Sequence, residues 1–195
     1  GIFPPNGGAI ALNGQSIEGC EAREIARLGV SRTFQNVEVF GRMTVLENVM
    51  VGRHIQSRAG IISTGLRLLG MRREERQIRE SAMQYLAFVG LENRTTELAG
   101  NLPLGEQKLL EVARALATDP KILLLDEPAG GLNTRETEGL AALIHRILEQ
   151  GITVVLVEHD MNLVMDISDE IMVMNFGKKI AEGKPKQIKK DPLVI

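Results

Sequence analysis

The stretch that most constrains the fold is residues 121–133, "KILLLDEPAGGLN". Its apolar run "ILLL" is followed at once by Asp126 and Glu127, and then by proline, alanine and two glycines. A short apolar run that ends at turn residues is typical of a strand buried on both faces, as in a parallel sheet covered by helices. The two carboxylates behind it have two explanations: an ordinary turn, or a site for phosphate and metal.

Segments on either side of this stretch alternate between strand and helix. After it, the sequence predicts a helix from about Arg135 to Gln150, the strand "TVVLVEH", the helix "MNLVMDIS" and the strand "EIMVMNFG", with a hairpin into "KKIAEG" that closes the sheet. Before it come a strand from Ala9 to Leu12, the helix "EAREIARLGV" and the short strand "VSRTFQ". This order predicts an α/β fold with a parallel sheet covered on both faces.

The middle of the chain has a different character. Thr44 and Glu47 have the spacing of a capping box and predict the start of a helix at "TVLENVMVG". Residues 53–100 are rich in Arg, Glu and Leu without strand-like alternation, which predicts helix. The charged run from Arg72 to Glu80 predicts a solvated helix face rather than a nucleic-acid contact. The pattern after Gly105, "EQKLLEVARALATDP", predicts a further amphipathic helix.

Composition excludes several classes of protein. The 195 residues are 44% hydrophobic and 25% charged, as in ordinary globular domains, and no window reaches the roughly 20 apolar residues of a membrane span. The formal net charge of −2 argues against a dedicated nucleic-acid binder. A single cysteine, Cys20, excludes an internal disulfide.

Polar side chains gather at the ends of the predicted strands, where ligands bind in open α/β sheets. An Asp oxygen suits Mg²⁺, a neighbouring Glu can polarise a water, a His can hold a phosphate oxygen and a Gln can sense the metal. Each residue alone has an ordinary structural explanation, but together they predict a site for Mg²⁺ and an attacking water. The residues at this edge are Gln35, Asp126, Glu127, Glu158, His159 and Asp160.

The run "LPLGEQKLLEVARALATDPKILLLDEPAGGLN", followed by "TVVLVEHD", resembles the ATP-binding subunit of an ABC transporter over essentially the whole chain. The resemblance implies a P-loop NTPase-like fold of the ABC ATPase type, with a mostly parallel sheet and an inserted α-helical subdomain. It divides the chain into a remnant of the N-terminal core (1–40), the helical subdomain with the signature motif (41–118), and a core portion with Walker B, D-loop and switch histidine (119–195).

The same resemblance implies a role for individual residues. Glu127 would be the general base and His159 the switch histidine, while Asp126 and the Q-loop residue Gln35 would serve Mg²⁺. The cofactors would be ATP and Mg²⁺. The residues implied to contact the nucleotide are Gln35, Pro103, Leu104, Gly105, Glu106, Gly131 and Asn133.

A finer resemblance is to the ATPases of branched-chain amino acid importers, carried by "ARLGVSRTFQNVEVFGRMTVLENVMVG" and "VEHDMNLVMDISDEIMVMNFGKKIAEGKP". It implies transmembrane permease subunits and a second ATPase subunit, the same or different, as partners. It also implies an indirect link to a substrate-binding protein, and no nucleic acid. The location implied is peripheral, on the cytoplasmic face of a bacterial or archaeal inner membrane.

Two departures from the family pattern stand out. The family signature Leu-Ser-Gly-Gly-Gln reads Leu-Pro-Leu-Gly-Glu here, so Pro103 stands in the place of the serine. Proline offers no donor, and a hydrogen bond from the serine hydroxyl to a charged phosphate would contribute about 1.5–3 kcal/mol. The amide of Gly105 and the helix N-terminus remain for anion binding, and we interpret the proline as tolerated in this subfamily. The second departure is the Walker A loop, G-x-x-x-x-G-K-[ST], which does not occur. We therefore expect this chain to start downstream of its phosphate cradle and to be inactive by itself.

Two other functions remain open at this point. One is a soluble ABC-type ATPase acting on DNA or ribosomes, which would carry a long coiled-coil insertion or tandem domains that this sequence does not contain. The other is a non-catalytic interaction module, which the lack of a Walker A loop favours.

Overall fold

The computed structural model describes residues 5–35, 37–54 and 68–194. The strands in this part of the chain are β1 (Ala11–Leu12), β2 (Gln15–Ser16), β3 (Val30–Arg32), β4 (Ile122–Asp126), β5 (Thr153–Val157), β6 (Ile171–Asn175) and β7 (Lys178–Gly183). The helices are α1 (Ala22–Arg27), α2 (Val45–His54), α3 (Leu68–Val89), α4 (Leu104–Leu116), α5 (Thr134–Glu149), α6 (Met161–Ile167) and α7 (Pro185–Ile188).

The central sheet consists of three parallel strands in the order β3-β4-β5. Val30 pairs with Ile122 at one end of the sheet, and Asp126 pairs with Val157 at the other. In the middle strand, Leu123 and Leu125 are buried, which explains the uninterrupted apolar run there. The parallel sheet predicted from the sequence is therefore confirmed, and the carboxyl ends of three strands lie at one edge.

Helices α2, α3 and α4 pack on one another, and α4 also contacts β3. The packing of α2 on α4 is very close at Gly52, where a Cβ atom would lie 2.2 Å from the carbonyl oxygen of Arg114. Helix α5 buries the side predicted from its spacing, since Leu140, Leu143 and Ile144 are in the core. The division into three parts at residues 40 and 118 stays a prediction.

The start of α2 forms as the sequence predicts. The Glu47 amide donates to Thr44 Oγ1 at 3.2 Å, and the Thr44 amide donates to Glu47 Oε2 at 2.8 Å, which completes the capping box. The charged face of α3 is solvated, with Arg73, Glu75 and Arg76 exposed. None of the helices in the described part of the chain combines the length and apolar character that a membrane crossing requires.

Three details of the predicted sheet are wrong. The β6–β7 hairpin does not close the parallel sheet but forms a separate two-stranded antiparallel sheet, because a tight turn at Phe176 and Gly177 lets the two strands satisfy each other locally. The sheet is not covered on both faces at β5, where Val155 and Val157 are exposed. Strand β3 ends at Arg32, so Gln35 lies in the following loop.

Candidate functional site

The proposed metal ligand, Asp126, lies at the last position of β4. Its Oδ2 atom is 2.7 Å from Nη2 of Arg32, the last residue of the neighbouring strand β3. The Arg32 side chain is 55% exposed and the Asp126 side chain 24% exposed, so the pair is open to solvent on the arginine side. The parallel register brings these two residues together, since both stand at carboxyl ends of adjacent strands.

The proposed general base, Glu127, is the first residue after β4, and its backbone has a φ of 45°. Its amide donates to the carbonyl oxygen of Val157 at 2.8 Å. Its Oε2 atom accepts a hydrogen bond from Gln35 Nε2 at 3.2 Å, and its Oε1 atom lies 3.9 Å from Nδ1 of His159. Three of the residues singled out in the sequence therefore meet at one carboxylate.

Glu158 and Asp160, the other two carboxylates at the strand ends, bind main-chain amides, although Glu158 Oε2 also lies 3.8 Å from Nδ1 of His159. The Glu158 side chain is only 1% exposed and accepts from the amides of Ala129 at 2.8 Å and His159 at 2.9 Å. Asp160 caps α6 by accepting from the amide of Asn162 at 3.0 Å. Both carboxylates stabilise the main chain beside the site, because each accepts hydrogen bonds from main-chain amides that would otherwise lack partners.

Lys108 of α4 also reaches this edge. Its Nζ atom donates to the main-chain carbonyl oxygen of Glu127 at 3.1 Å. Burial lowers the pKa of Lys108, while the nearby carboxylates of Glu158, Glu111 and Glu127 oppose that shift. A cation from the helical part of the fold thus contacts the residue proposed as the base.

The signature loop and the D-loop lie against each other. A Cβ atom at Gly131 would be 2.9 Å from Leu104 Cδ2, and one at Gly105 would be 2.7 Å from Glu136 Oε1. Gly131 has a φ of 77°, which also favours glycine there. A side chain at Gly131 would be strained by this φ, whereas a side chain at Gly105 would require the end of the Glu136 side chain to move.

The remaining predicted nucleotide contacts, Pro103, Glu106 and Asn133, differ in the bonds that they make within the described part of the chain. Pro103 is the N-cap of α4 and is exposed, with no side-chain cap bond. Glu106 is 3.3 Å from Arg94, but its Oε2 atom is buried without a hydrogen-bond partner in the described part of the chain. Asn133 caps α5 by accepting from the Glu136 amide at 3.0 Å. The Asn133 side chain therefore has a helix-capping role besides the one predicted for it.

The donor set at the strand ends suits Mg²⁺ only together with phosphate. Within residues 5–35, 37–54 and 68–194, no three His, Cys, Asp or Glu side chains form a group that could hold a metal ion by themselves. Mg²⁺ at nucleotide sites commonly uses one or two carboxylates, waters and phosphate oxygens. Asp126, at the end of the strand and partly exposed, fits that requirement.

Sequence reasoning missed two residues of the site. Arg32 has a detectable signal, since it lies within the predicted strand "VSRTFQ" that leads to Gln35. Lys108 has a weaker one, since it follows Leu104 by one helical turn, the spacing that places two residues on the same side of a helix.

Comparison with known proteins identifies the family. The family model described as "ABC transporter" matches residues 1–130, two thirds of the chain. This chain belongs to the ABC transporter ATP-binding family. The resemblance to the ATP-binding subunit of an ABC transporter is thereby confirmed.

Individual relatives agree with that assignment. The chain is 45% identical over 196 residues to BraF of Pseudomonas aeruginosa, a high-affinity branched-chain amino acid transport ATP-binding protein, covering 100% of this chain and 77% of BraF. It is 44% identical to LivG of Escherichia coli, which has the same description and the same coverage. An ATP-binding cassette of an ABC transporter, solved in its ADP conformation, superposes with a TM-score of 0.82 at 28% identity, covering 100% of this chain and 77% of that one. The ABC ATPase fold is therefore confirmed.

Proposed function

We propose that this chain, which contains no Walker A loop, belongs to the ATP-hydrolysing subunit of an ABC importer for branched-chain amino acids. The observation that carries the chemistry is the placement of Glu127: its carboxylate follows a buried strand, accepts a hydrogen bond from Gln35 and faces His159. The identity to BraF and LivG supports the substrate class.

In this proposal, Glu127 accepts the proton of the attacking water as general base. His159, whose side chain is 75% exposed, extends beyond the strand edge to hold a phosphate oxygen. Asp126 and Gln35 would hold Mg²⁺ together with the phosphates of ATP. When bound, the ion neutralises charge that develops on the phosphate oxygens.

The nucleotide contacts come from two loops. Gly105 offers a main-chain amide at the N-terminus of α4, where helix geometry favours an anion. Leu104 is exposed beside it. We assign Pro103, Leu104, Gly105 and Glu106 to the face that meets the nucleotide of a second ATPase subunit, with Gly131 and Asn133 of the D-loop at the same interface.

The partners proposed are a second ATPase subunit and transmembrane permease subunits, with a substrate-binding protein acting through the permeases. The chain would lie peripherally on the cytoplasmic face of the inner membrane. ATP-driven closure of the two ATPase subunits would move the permeases between their two open states.

The test is Glu127→Gln in the complete transporter. Loss of the general base should lower kcat for ATP hydrolysis by about 10²- to 10⁴-fold, with ATP affinity within about threefold of wild type. Glu138→Gln, an exposed glutamate of α5, is the control and should leave kcat unchanged. Unchanged hydrolysis in Glu127→Gln would sink the assignment.

The substrate class is tested separately by uptake into vesicles. Leucine, isoleucine and valine should each compete with labelled leucine, whereas a sugar should not. Stimulation of the ATPase by a sugar-loaded binding protein, and not by a leucine-loaded one, would contradict the proposed substrate.

A further inference from the structure

Lys108 has no part in the roles proposed above, yet it touches the proposed base. It lies in α4, one helical turn after Leu104 of the signature loop. Its ammonium group donates to the main-chain carbonyl oxygen of Glu127 at 3.1 Å. This hydrogen bond directly links α4, the signature helix, to Glu127 at the end of the Walker B stretch.

Glu127 needs such a bond because of its backbone. Its φ of 45° places it in the left-handed region, which a long side chain seldom occupies without support from its surroundings. Its amide is held by the carbonyl oxygen of Val157 at 2.8 Å, and its carbonyl oxygen accepts from the amide of Gly130 at 3.1 Å. Lys108 is the one side chain among these three supports, and it is also the one that comes from a helix.

The left-handed backbone determines where the carboxylate lies. In this conformation the Glu127 side chain reaches Gln35 at 3.2 Å and faces His159 at 3.9 Å. A return of Glu127 to the extended region would turn its Cα–Cβ bond and carry the carboxylate away from both partners. Misplacement of a reacting group by about 1 Å can cost about 10²-fold in rate.

The surroundings of Lys108 favour a fixed position. Its side chain is partly buried, and the carboxylates of Glu158, Glu111 and Glu127 attract its charge from the end of β5, from α4 itself and from the end of β4. The Glu158 side chain is 1% exposed and is itself held by main-chain amides. Because these carboxylates hold the Lys108 ammonium group in place, a shift of α4 would also shift the donor that binds the Glu127 carbonyl oxygen.

We infer that Lys108 is a positioning residue for ATP hydrolysis. It holds Glu127 in the left-handed conformation that aims its carboxylate, and it links that conformation to the placement of the signature helix. This inference rests on the proposed ATPase function.

The experiment compares Lys108→Met, Lys108→Arg and Lys108→Gln in the complete ATPase within its transporter. Met keeps the length of the side chain without a donor, Arg keeps a cationic donor, and Gln keeps polarity but not reach. We expect Lys108→Met to lower kcat at least tenfold, with KM for ATP within about threefold. Lys108→Arg should restore kcat to within about threefold of wild type. Lys186→Met, at an exposed lysine of α7, is the matched control and should not change kcat.

Nucleotide affinity is measured in the Glu127→Gln background, where turnover does not disturb binding. Lys108→Met should leave the ATP Kd there within about threefold, because its effect passes through Glu127. A purely packing role would instead lower the unfolding temperature and kcat together, without rescue by arginine. If Lys108→Met does not fold, as judged by circular dichroism, the same criteria apply to Lys108→Gln against Lys108→Arg.

The outcomes separate the two ideas. If wild type hydrolyses ATP and Glu127→Gln does not, the proposed function stands. The role of Lys108 is then refuted by any of three results for Lys108→Met: a kcat within twofold of wild type, a change in KM instead of kcat, or a kcat no lower than that of Lys108→Arg. If Glu127→Gln hydrolyses ATP like wild type, the proposed function itself has failed.

Discussion

The carboxylate of Asp126 is paired with the guanidinium group of Arg32 at 2.7 Å, across adjacent strands of the sheet. The proposed magnesium ligand therefore has a cationic partner within the chain. Because the arginine is more than half exposed, the pair is weak, and Mg²⁺ with its phosphates can displace it.

This pairing predicts the effect of Arg32→Gln on the magnesium requirement. An exposed ion pair contributes about 0.2–1 kcal/mol, so removing its cation should lower the Mg²⁺ concentration for half-maximal hydrolysis by about 1.4- to 5-fold at saturating ATP. The measurement is a Mg²⁺ titration of the ATPase rate. Arg27→Gln, at an exposed arginine of α1, is the control. An unchanged or higher Mg²⁺ requirement in Arg32→Gln would contradict the competition.

Gly52→Ala should destabilise the protein through the packing of α2 on α4. The added Cβ atom would lie 2.2 Å from the carbonyl oxygen of Arg114, so the two helices must separate. We expect a loss of about 1–3 kcal/mol in the free energy of unfolding, measured with urea. Gly139→Ala in α5 is the control: nothing lies within 4 Å of its Cβ position, and alanine should raise stability by up to about 1 kcal/mol. Equal effects at both positions would show that the close approach does not matter.

Asn48→Ala should loosen the loop that leads into α2. The fully buried Asn48 side chain accepts from the Phe40 amide at 2.8 Å and donates to the carbonyl oxygens of Phe40 at 3.1 Å and Thr44 at 2.9 Å. Alanine removes the acceptor of the Phe40 amide and one of the donors to each carbonyl oxygen, which keep the amides of Met43 and residue 48, at a cost of about 1–3 kcal/mol in unfolding free energy. Asn162→Ala, at an exposed position of α6, should change stability by less than about 0.5 kcal/mol. A loss of similar size in both variants would count against the buried network.

Glu111→Gln tests a buried carboxylate by its pH dependence. Burial raises the pKa of Glu111 above its ordinary 4.5, despite a hydrogen bond from the Glu38 amide at 2.9 Å. A raised pKa in the folded state contributes stability that is fully present below pH 4.5 and is lost as the pH rises through the raised value. The stability of Glu111→Gln relative to wild type should therefore increase between pH 4 and pH 7, as measured by denaturant unfolding at each pH.

Glu47→Gln is the matched control for that experiment because its sign is opposite. Hydrogen bonds from Thr44 lower the pKa of Glu47, so its contribution is present above pH 4.5 and is lost as the pH falls. The relative stability of Glu47→Gln should decrease from pH 4 to pH 7. The same slope for both variants would show that the burial of Glu111 does not govern its ionisation.

Most of the elements could be predicted because their signals are local. The apolar run before Asp126 predicted β4, the 3.6-residue spacing of Leu140, Leu143 and Ile144 predicted the buried side of α5, and the Thr44–Glu47 spacing predicted the start of α2. The order of the signature motif, the Walker B strand, the D-loop and the switch histidine was also enough to recognise the ABC ATPase family. Sequence by itself determined these features because periodicity, capping and motif spacing act over a few residues.

Contacts between distant residues were decided by the tertiary structure. Arg32 and Asp126 are 94 positions apart and meet only because β3 and β4 pair in parallel register. Glu158 turned inward to bind amides, although its position at a strand end is equivalent to that of Glu127. The hydrogen bond from Lys108 to the Glu127 carbonyl oxygen accompanies a left-handed backbone at Glu127, which no local sequence pattern predicts. Such features follow from which main-chain groups remain unsatisfied once the elements pack, and that becomes defined only in the folded chain.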